Sequence, residues 1–401
     1  MAWGPPPARV VIVGAGQGGF QAAASLRQEK FEGEILLIGA EEGLPYQRPP
    51  LSKAYLKSGD AEALNLRPAA FFEKNDVTLR PGTRVTSIDR DAQRVQAGGS
   101  EIPYDHLILA TGTSNLRPTI EGLDRALDLR TLVDAQRLRV AMEDAERCAV
   151  IGGGFIGLEF AAVARGLGRR VIVAEASDRL MARVVSPEMS ARFADKHCEI
   201  GTELALGRTV TSVSSGGIAF DDGTEMPADL VLLAAGVRPN DDLAREAGLA
   251  CDNGIVVDAT LLTADPAISA LGDCAAFPDP RTGRMVRLES VQAATDHARA
   301  VARRLVHGTE DPYAAVPWFW SDQADWKLQI TGFGRPQDDS VRTENGAILR
   351  FDGEVLSAVE TVNDAKTHMK SRRLMAAALT DPGAGLVRDR LASVGYDLLA
   401  L

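Results

Sequence analysis

Two stretches of the sequence decide the fold, and they share one plan. The first is Arg9-Val-Val-Ile-Val-Gly-Ala-Gly-Gln-Gly-Gly-Phe20, and the second is Cys148-Ala-Val-Ile-Gly-Gly-Gly-Phe-Ile-Gly157. Each begins with an apolar run typical of a buried parallel strand, continues with glycines in Gly-x-Gly-x-x-Gly spacing, and leads into an alanine-rich segment that predicts a helix. Further apolar runs at Ile35–Ile38 and Val171–Ala174 predict a second strand in each block. The sequence therefore predicts two copies of a strand–turn–helix–strand unit.

The spacing of the glycines points to dinucleotide binding. The first glycine of each motif permits a tight turn, the second lets backbone N–H groups approach a pyrophosphate, and the third lets helix and strand pack closely. The positive end of the helix then faces the phosphates. One such motif also occurs as a plain structural turn, but two complete copies predict two sites. We infer one tightly bound flavin and one diffusing nicotinamide cofactor, with hydride passing between them. The motif glycines are Gly14, Gly16, Gly19, Gly152, Gly154 and Gly157.

An acidic residue at the end of the second block distinguishes the two nicotinamide cofactors. Glu175 follows the predicted strand Val171–Ala174. A carboxylate at this place accepts both ribose hydroxyls of NAD and repels the 2′-phosphate of NADP, so NADH is favoured. The alternative is a solvated carboxylate at a strand end. The nearby arginines leave some tolerance of NADPH open; they are Arg169, Arg170, Arg179 and Arg183.

Composition excludes several classes of protein. The chain has 401 residues, of which 45% are hydrophobic, so it is long enough for two or three domains with full cores. A net charge of −11 argues against a general nucleic-acid binder. The sequence contains no apolar run long enough for a membrane span, and Met1–Arg9 does not resemble a signal peptide, so we expect a cytoplasmic enzyme. The four cysteines form no Cys-x-x-Cys pair and the five histidines are scattered, so we predict neither a dithiol motif nor a metal site.

Several motifs in matching order carry a family resemblance. Besides the two glycine blocks, they are Tyr46–Lys53 (YQRPPLSK), Tyr104–Gly112, Leu271–Asp273 and Pro317–Gln323 (PWFWSDQ). Together they make the chain resemble the FAD-dependent, NADH-oxidising ferredoxin and rubredoxin reductases of the putidaredoxin-reductase type, which serve oxygenases. Apoptosis-inducing factor is a more distant relative of that family. The resemblance extends over nearly the whole chain.

The resemblance implies a glutathione-reductase-like α/β fold with two Rossmann-like dinucleotide-binding domains and a C-terminal α+β interface domain. The FAD domain would be discontinuous, comprising 1–112 and 241–316. The NAD domain would be 113–240, and the interface domain 317–401. Apolar runs at Val231–Ala234 and Ile268–Leu271 agree with this plan, since each precedes small or glycine residues, as strands of a nucleotide-binding sheet do.

The resemblance also implies the FAD contacts. Lys53 would approach the flavin ring, Asp273 would bond the ribityl chain, and Arg130 would bind the pyrophosphate. Each has a plainer alternative, as an exposed lysine, a turn aspartate and a surface arginine. Many relatives carry an acid where this chain has Ala40, so we assign the adenosine ribose to Glu41 or else to backbone and water. The remaining expected FAD contacts are Gly14, Gly16, Gly19, Arg48, Val85, Thr111, Gly112, Gln292 and Ala293.

Three residues are expected near the reacting rings. Lys53 would stabilise negative charge on the reduced flavin, Glu159 would position the nicotinamide carboxamide, and Trp320 would lie close to the flavin. The alternatives are a buried structural carboxylate for Glu159 and a core aromatic for Trp320. The other expected NAD contacts are Gly152, Gly154, Gly157, Glu175, Arg183 and Gly236.

The activity implied is NADH-dependent reduction of a small acidic iron–sulfur ferredoxin, which feeds a cytochrome monooxygenase or a ring dioxygenase. Rubredoxin reductase, NADH oxidase and a redox-sensing interaction protein resembling apoptosis-inducing factor remain alternatives. A disulfide reductase is disfavoured because the cysteines are dispersed. We expect a monomer or weak homodimer. An acidic partner requires a local basic surface, and its candidate residues are Lys327, Lys366, Lys370, Arg372, Arg373, Arg303 and Arg304.

Overall fold

The computed structural model describes residues 6–381 and 384–401, and all structural statements refer to these residues. The chain divides into two compact units. Unit 1 comprises the described residues up to Gln47 together with Glu62–Ser114 and Arg238–Pro317. Unit 2 comprises Arg48–Ala61, Asn115–Val237 and Trp318–Leu401.

Helices and strands alternate over much of the chain. The helices are α1 (Gln17–Gln28), α2 (Ala54–Ser58), α3 (Ala70–Lys74), α4 (Leu132–Asp144), α5 (Phe155–Gly166), α6 (Pro187–Glu199), α7 (Asp242–Glu246), α8 (Val291–His307), α9 (Ala365–Thr380) and α10 (Arg388–Ala392). The strands of the first half are β1 (Arg9–Val13), β2 (Glu34–Ile38), β3 (Val77–Arg80), β4 (Val85–Asp89), β5 (Arg94–Ala97), β6 (Ser100–Pro103), β7 (His106–Leu109), β8 (Thr113–Asn115), β9 (Arg147–Ile151), β10 (Arg170–Glu175), β11 (Thr202–Leu206), β12 (Val210–Ser214) and β13 (Gly217–Phe220). The strands of the second half are β14 (Glu225–Pro227), β15 (Leu230–Leu233), β16 (Val237–Pro239), β17 (Ile255–Val256), β18 (Ile268–Ala270), β19 (Ala275–Pro278), β20 (Met285–Val286), β21 (Trp318–Gln323), β22 (Trp326–Gly332), β23 (Asp339–Arg342), β24 (Ile348–Asp352) and β25 (Val355–Val362).

Unit 1 is built on a five-stranded parallel sheet in the order β18-β7-β1-β2-β3. The apolar residues of its central strands β7, β1 and β2 are buried, as continuous apolar runs require. Helix α1 packs against α8, and Phe20 of α1 contacts the rings of Phe71 and Phe72. A separate antiparallel sheet contains β4, β5 and β6. The first glycine block therefore forms the centre of a Rossmann-like sheet.

Unit 2 contains the second glycine block and the C-terminal segment. Strands β11-β10-β9-β15 form a parallel sheet with α5 against it, and β12-β13-β14 form an antiparallel sheet. The C-terminal sheet has the antiparallel order β21-β22-β25-β24-β23, and α9 packs on β22 and β25. Among the described residues, no helix is both long and apolar enough to cross a membrane.

The third glycine of each motif is required by close packing. A Cβ atom at Gly19 would overlap the carbonyl oxygen of Gly14, and one at Gly157 would overlap that of Gly152. The middle glycine differs, because a Cβ at Gly154 would meet no atom within 4 Å. The third glycine thus lets the helix approach the strand, whereas the second leaves space over the helix N-terminus.

The sequence predicts three domains, whereas the structure divides into two compact units. The pieces of unit 1 resemble the predicted discontinuous FAD domain without 48–61, and unit 2 includes both the predicted NAD domain and the predicted interface domain. Residues 1–5 and 382–383 of the predicted domains lie outside the described residues. The division into 1–112 with 241–316, 113–240 and 317–401 stays a prediction.

Gly157→Ala should destabilise the protein by about 1–3 kcal/mol, because the new methyl group overlaps a backbone oxygen that cannot move aside. Chemical denaturation followed by circular dichroism measures the loss. Gly154→Ala is the matched control, in the same turn but with open space around its Cβ, and should cost less than about 1 kcal/mol. Equal losses in the two variants would contradict the packing argument.

Candidate functional site

The second glycine turn and Glu175 are held together by hydrogen bonds. The Gly152 N–H donates to the carbonyl oxygen of Ala174 at 2.8 Å, which joins the turn to the end of β10. Glu175 Oε2 accepts the Gly153 N–H at 2.7 Å, and its Oε1 accepts the Ser177 N–H at 2.8 Å. The carboxylate of Glu175 therefore lies at the carboxyl end of the parallel sheet, where the fold places a nucleotide.

The four arginines near Glu175 in sequence lie in different places. Arg169 and Arg170 are at the opposite end of β10, where they contact Glu143 and Glu146. Arg179 donates to carbonyl oxygens of its own loop, at Val185 and Ala182. Arg183 is exposed, and a Cβ atom at Gly236 would lie 3.5 Å from its Nη2. Of the four, Arg183 stands beside a glycine that follows β15, at the same sheet edge as Glu175.

The first glycine turn has the same backbone geometry but no acid at the matching position. The Gly14 N–H donates to Ile38 at 2.8 Å, as Gly152 does to Ala174. The residue that corresponds to Glu175 is Gly39, and a Cβ there would lie 2.7 Å from the Cβ of Ala15. The nearest acid, Glu41, is half-buried and accepts the hydroxyl of Tyr46. Ala15 thus leaves no room for a side chain at position 39. The candidate acid for the adenosine ribose is therefore Glu41, two residues further along the chain.

Both turns fit a bound pyrophosphate. Helix α1 begins after Gly16 and α5 after Gly154, and among the described residues no side chain caps either helix. A Cβ at Gly16 or Gly154 would meet no atom within 4 Å, so open space lies over each uncapped turn. Uncapped N–H groups beneath open space are suited to anionic oxygens. The residues present fit two dinucleotides.

In unit 1, Asp273 lies in a short turn that is bonded from several sides. Thr113 Oγ1 donates to Asp273 Oδ2 at 3.3 Å, and Arg287 Nη1 donates to the Asp273 carbonyl oxygen at 3.0 Å. The preceding Gly272, with φ of +71°, donates its N–H to His297 Nδ1 at 3.2 Å. This bonding orients the carboxylate that the resemblance assigns to the ribityl chain.

His297, which was not predicted from the sequence, bonds the turn that carries Asp273. It is fully buried against the rings of Phe277 and Tyr313, with centroids 4.7 and 4.5 Å away. Burial lowers the pKa of His297 to about 3, so the imidazole is neutral at ordinary pH. Because Nδ1 accepts the Gly272 N–H, the proton resides on Nε2.

The other predicted FAD contacts of unit 1 are in varied settings. Thr111 Oγ1 donates to the carbonyl oxygen of Asn240, whose N–H in turn donates to the carbonyl oxygen of Gly112. The Ala293 N–H donates to Ser290 Oγ at 3.0 Å, so the predicted flavin contact of Ala293 would require exchange of that bond. Two further predicted contacts are the buried Gln292 in the first turn of α8 and the half-buried Val85 at the start of β4.

In unit 2, the structure brings Lys53 and Glu159 together in a buried cluster. Glu159 is 2% exposed, and its Oε2 accepts Lys53 Nζ at 2.7 Å. The hydroxyl of Ser52 donates to the same oxygen, and Ser321 Oγ donates to Oε1 at 2.7 Å. Ser52 and Ser321 were not predicted as site residues, although they lie in the YQRPPLSK and PWFWSDQ motifs. Each of these three hydrogen bonds is donated to the carboxylate, so both of its oxygens act as acceptors.

Unit 2 also contains aromatic and arginine pairs that include predicted site residues. Phe319 of β21 packs on Phe155, the first residue of α5, with centroids 4.7 Å apart. Trp320 is half-buried beside Trp318, at 5.7 Å between ring centroids, and Arg372 lies over the Trp318 ring at 4.3 Å. The structure also brings together the predicted Arg48 and Arg130, since the Arg48 guanidinium donates to the Arg130 carbonyl oxygen.

The predicted docking residues are mostly accessible, with one correction. Lys327, Lys366, Arg373 and Arg303 are exposed, and Lys370 and Arg372 are half-buried. Arg304 was wrongly included, because it is 2% exposed and donates to Thr260 and Ser269. A buried guanidinium that already satisfies internal oxygens cannot meet a protein partner.

Comparison with known proteins agrees with this geometry. Residues 8–298 match the family model described as pyridine nucleotide-disulphide oxidoreductase, and residues 318–393 match the model described as reductase C-terminal. Rhodocoxin reductase of Rhodococcus erythropolis is 45% identical, covering 97% of this chain and 93% of the relative.

Solved structures of ferredoxin reductases are also similar to this chain. The ferredoxin reductase for the CYP199A2 system from Rhodopseudomonas palustris is 43% identical with a TM-score of 0.93, covering 98% of this chain and 99% of that one. The putidaredoxin reductase in its covalent complex with putidaredoxin is 36% identical with a TM-score of 0.88, covering 92% and 93%. The predicted α/β fold and the predicted resemblance are both confirmed. The chain belongs to the pyridine nucleotide-disulphide oxidoreductase family, within its ferredoxin and rubredoxin reductases.

Proposed function

We propose that this protein is an NADH-dependent ferredoxin reductase that passes electrons one at a time to a small iron–sulfur ferredoxin serving an oxygenase. An oxidoreductase that uses FAD and NADH follows from the family. The choice of NADH rests on Glu175. Its carboxylate accepts a hydrogen bond from the second glycine turn, and one arginine, Arg183, lies at the same sheet edge. When bound, the flavin accepts a hydride and releases single electrons, which is the chemistry such a reaction needs.

The residues of the chain bind and orient, and none of them is required to act as an acid or base on the transferred hydride. We assign the pyrophosphates to the two glycine turns, the nicotinamide cofactor's ribose to Glu175 and Arg183, and the flavin's ribityl chain to Asp273. Support comes from the uncapped helix ends and from the bonds that fix each carboxylate. The other residues predicted from the resemblance, with the three-domain division, are retained in this proposal.

The buried Glu159 cluster is assigned to orientation of the nicotinamide carboxamide. Ser52, Lys53 and Ser321 fix both carboxylate oxygens, so the acceptor geometry is set before a ligand arrives. Preorganised positioning lowers the entropic cost of reaching the reactive geometry. Lys53 has 20% of its side chain exposed, so this residue is not fully enclosed by the cluster.

For the ferredoxin we propose a docking surface that includes α9. Helix α9 exposes Lys366 and Arg373, and half-buried Lys370 lies between them in sequence. Spacing of three or four residues places such side chains on one face of a helix. The remaining candidates in unit 2 are Lys327 and Arg372, and Arg303 of unit 1 is retained as a separate candidate. A cytoplasmic location and a monomer or weak homodimer complete the proposal.

Glu175→Gln should raise the KM for NADH about tenfold and lower the KM for NADPH, because the charge that holds the ribose hydroxyls and repels a 2′-phosphate is lost. Steady-state reduction of cytochrome c through ferredoxin measures both constants. Glu203→Gln on neighbouring β11 is the control, since Glu203 is exposed, and it should change neither. A preference of the unaltered enzyme for NADPH would overturn the assignment.

Lys53→Met and Glu159→Gln should each slow flavin reduction by NADH about tenfold, because the acceptor geometry is disturbed. Stopped-flow absorbance of the flavin measures this step. The two changes should also couple in the free energy of unfolding by about 1–3 kcal/mol, since each single variant removes the ionic partner of the other residue.

The control pair for this cycle is Arg139→Met with Glu143→Gln, whose exposed groups are 3.8 Å apart on α4. Its coupling energy should stay below about 0.5 kcal/mol. If the effects of Lys53→Met and Glu159→Gln on stability are additive and flavin reduction is unchanged, the two residues are not coupled and the cluster does not position the nicotinamide.

The double variant Lys366→Glu/Arg373→Glu should raise the KM for an acidic ferredoxin about fivefold at low salt, and the difference should shrink at high salt. The rate of flavin reduction by NADH should not change. The double variant Lys30→Glu/Lys74→Glu, at two other exposed lysines, serves as the control because it changes the net charge by the same amount. If no ferredoxin accelerates electron transfer from the unaltered enzyme, the oxidase or sensor alternative replaces the proposed function.

A further inference from the structure

The loop between β10 and α6, residues 176–186, carries Arg183 and is fixed at several points. We call it the Arg183 loop. The N–H of Met181, a residue with φ of +51°, donates to the carbonyl oxygen of Gly153 at 2.9 Å. Ser190 Oγ donates to the carbonyl oxygen of Leu180 at 2.6 Å, and Arg179 bonds carbonyl oxygens within the loop. The first half of the loop is thus attached to the second glycine turn and to α6.

The second half of the Arg183 loop is bonded by two charged residues of the C-terminal sheet. Glu360 of β25 accepts the Ser186 N–H at 2.8 Å through Oε1 and the Ser186 hydroxyl at 2.6 Å through Oε2. Arg350 of β24 donates through Nη1 to the carbonyl oxygen of Val184 at 2.6 Å. These bonds flank Arg183 on its carboxyl side.

The Arg350–Glu360 pair is costly to bury. Arg350 is 1% exposed and Glu360 0% exposed, and they are 3.2 Å apart. Burial raises the pKa of Glu360, and the bonds from Ser186 and Arg350 oppose that rise. The Arg350 guanidinium packs closely on the segment after β22, because a Cβ at Gly334 would lie 2.6 Å from Arg350 Nη1.

The bonds of the pair are directed at backbone and at a helix cap. Arg350 also donates to the carbonyl oxygen of Arg335, and Ser186 Oγ accepts the Met189 N–H as the N-cap of α6. Apolar residues of similar size would often stabilise a core as well as a buried ion pair does. A pair whose hydrogen bonds fix one loop conformation therefore indicates a requirement for that conformation.

We propose that Arg350 and Glu360 are positioning residues for NADH, which act by holding the Arg183 loop so that Arg183 stands at the nucleotide-binding edge beside Gly236. The inference rests on the proposed function, in which Arg183 and Glu175 bind NADH. It gives the C-terminal sheet a part in binding NADH in addition to any part in docking ferredoxin. The effect should appear in NADH affinity and not in the capacity of bound NADH to react.

Glu360→Gln tests the proposal, because it keeps the shape of the side chain while removing its charge. The KM and Kd for NADH should rise about fivefold to twentyfold, whereas kcat at saturating NADH should stay within about twofold. The ratio of FAD to protein and the KM for ferredoxin should not change. Ser186→Ala removes one of the same bonds without placing a change inside the C-terminal sheet, and it should shift the NADH constants in the same direction. If Glu360→Gln does not fold, the NADH constants of Ser186→Ala decide whether the proposal holds.

Two further variants separate the possible failures. Glu354→Gln, an exposed glutamate that precedes β25, is the matched control and should leave the NADH constants unchanged. Arg183→Ala tests the premise and should also raise the KM for NADH. If Arg183→Ala weakens NADH binding while Glu360→Gln and Ser186→Ala lower only the melting temperature, the pair is structural and the proposal is overturned. If Arg183→Ala has no effect, the assigned role of Arg183 fails, and the proposal fails with it.

Discussion

The close contact between the first and third glycines of each motif fixes both nucleotide-binding helices, and the two candidate sites depend on it. Because the Gly157 backbone lies against the carbonyl oxygen of Gly152, the N-terminus of α5 is held at the carboxyl end of the parallel sheet. The same contact between Gly19 and Gly14 places α1. Neither helix could carry a side chain at this point without moving away from its strand. The nucleotide-binding edge therefore depends on the absence of a side chain at the third glycine of each motif.

The two copies then diverge through one further side chain. In the second turn, Gly153 offers its N–H to Glu175, so the carboxylate is held directly at the turn. In the first turn, the methyl group of Ala15 occupies the space that faces Gly39 and leaves no room for a side chain there. The second turn therefore has an acid fixed beside it. In the first turn the methyl group of Ala15 excludes an acid at the matching position, and the nearest acid is Glu41.

Local pattern was enough to predict the glycine turns, the strands of the two glycine blocks and the position of Glu175 at a strand end, because each depends on residues adjacent in sequence. Contacts between distant segments were not predictable in this way. Ser52 and Ser321 meet Glu159 across 107 and 162 residues, and nothing in their own neighbourhoods indicates a shared partner. The error at Arg304 was avoidable, since helical spacing places it on the face of α8 that carries the buried His297 and Val301.

The buried carboxylates of unit 2 show how the C-terminal sheet takes part in the rest of that unit. Ser321 of β21 completes the bonding of Glu159 on α5, and Glu360 of β25 completes the cap of α6 at Ser186. Gln323 adds a third link through His197 of α6, with 3.0 Å between Oε1 and Nε2. A buried ionised or polar group tolerates the loss of a partner poorly, because the remaining atom can no longer reach water. Changes in the C-terminal sheet therefore remove bonding partners from α5 and α6. Altered ferredoxin reduction in a variant of this sheet cannot be attributed to docking until its NADH affinity is known.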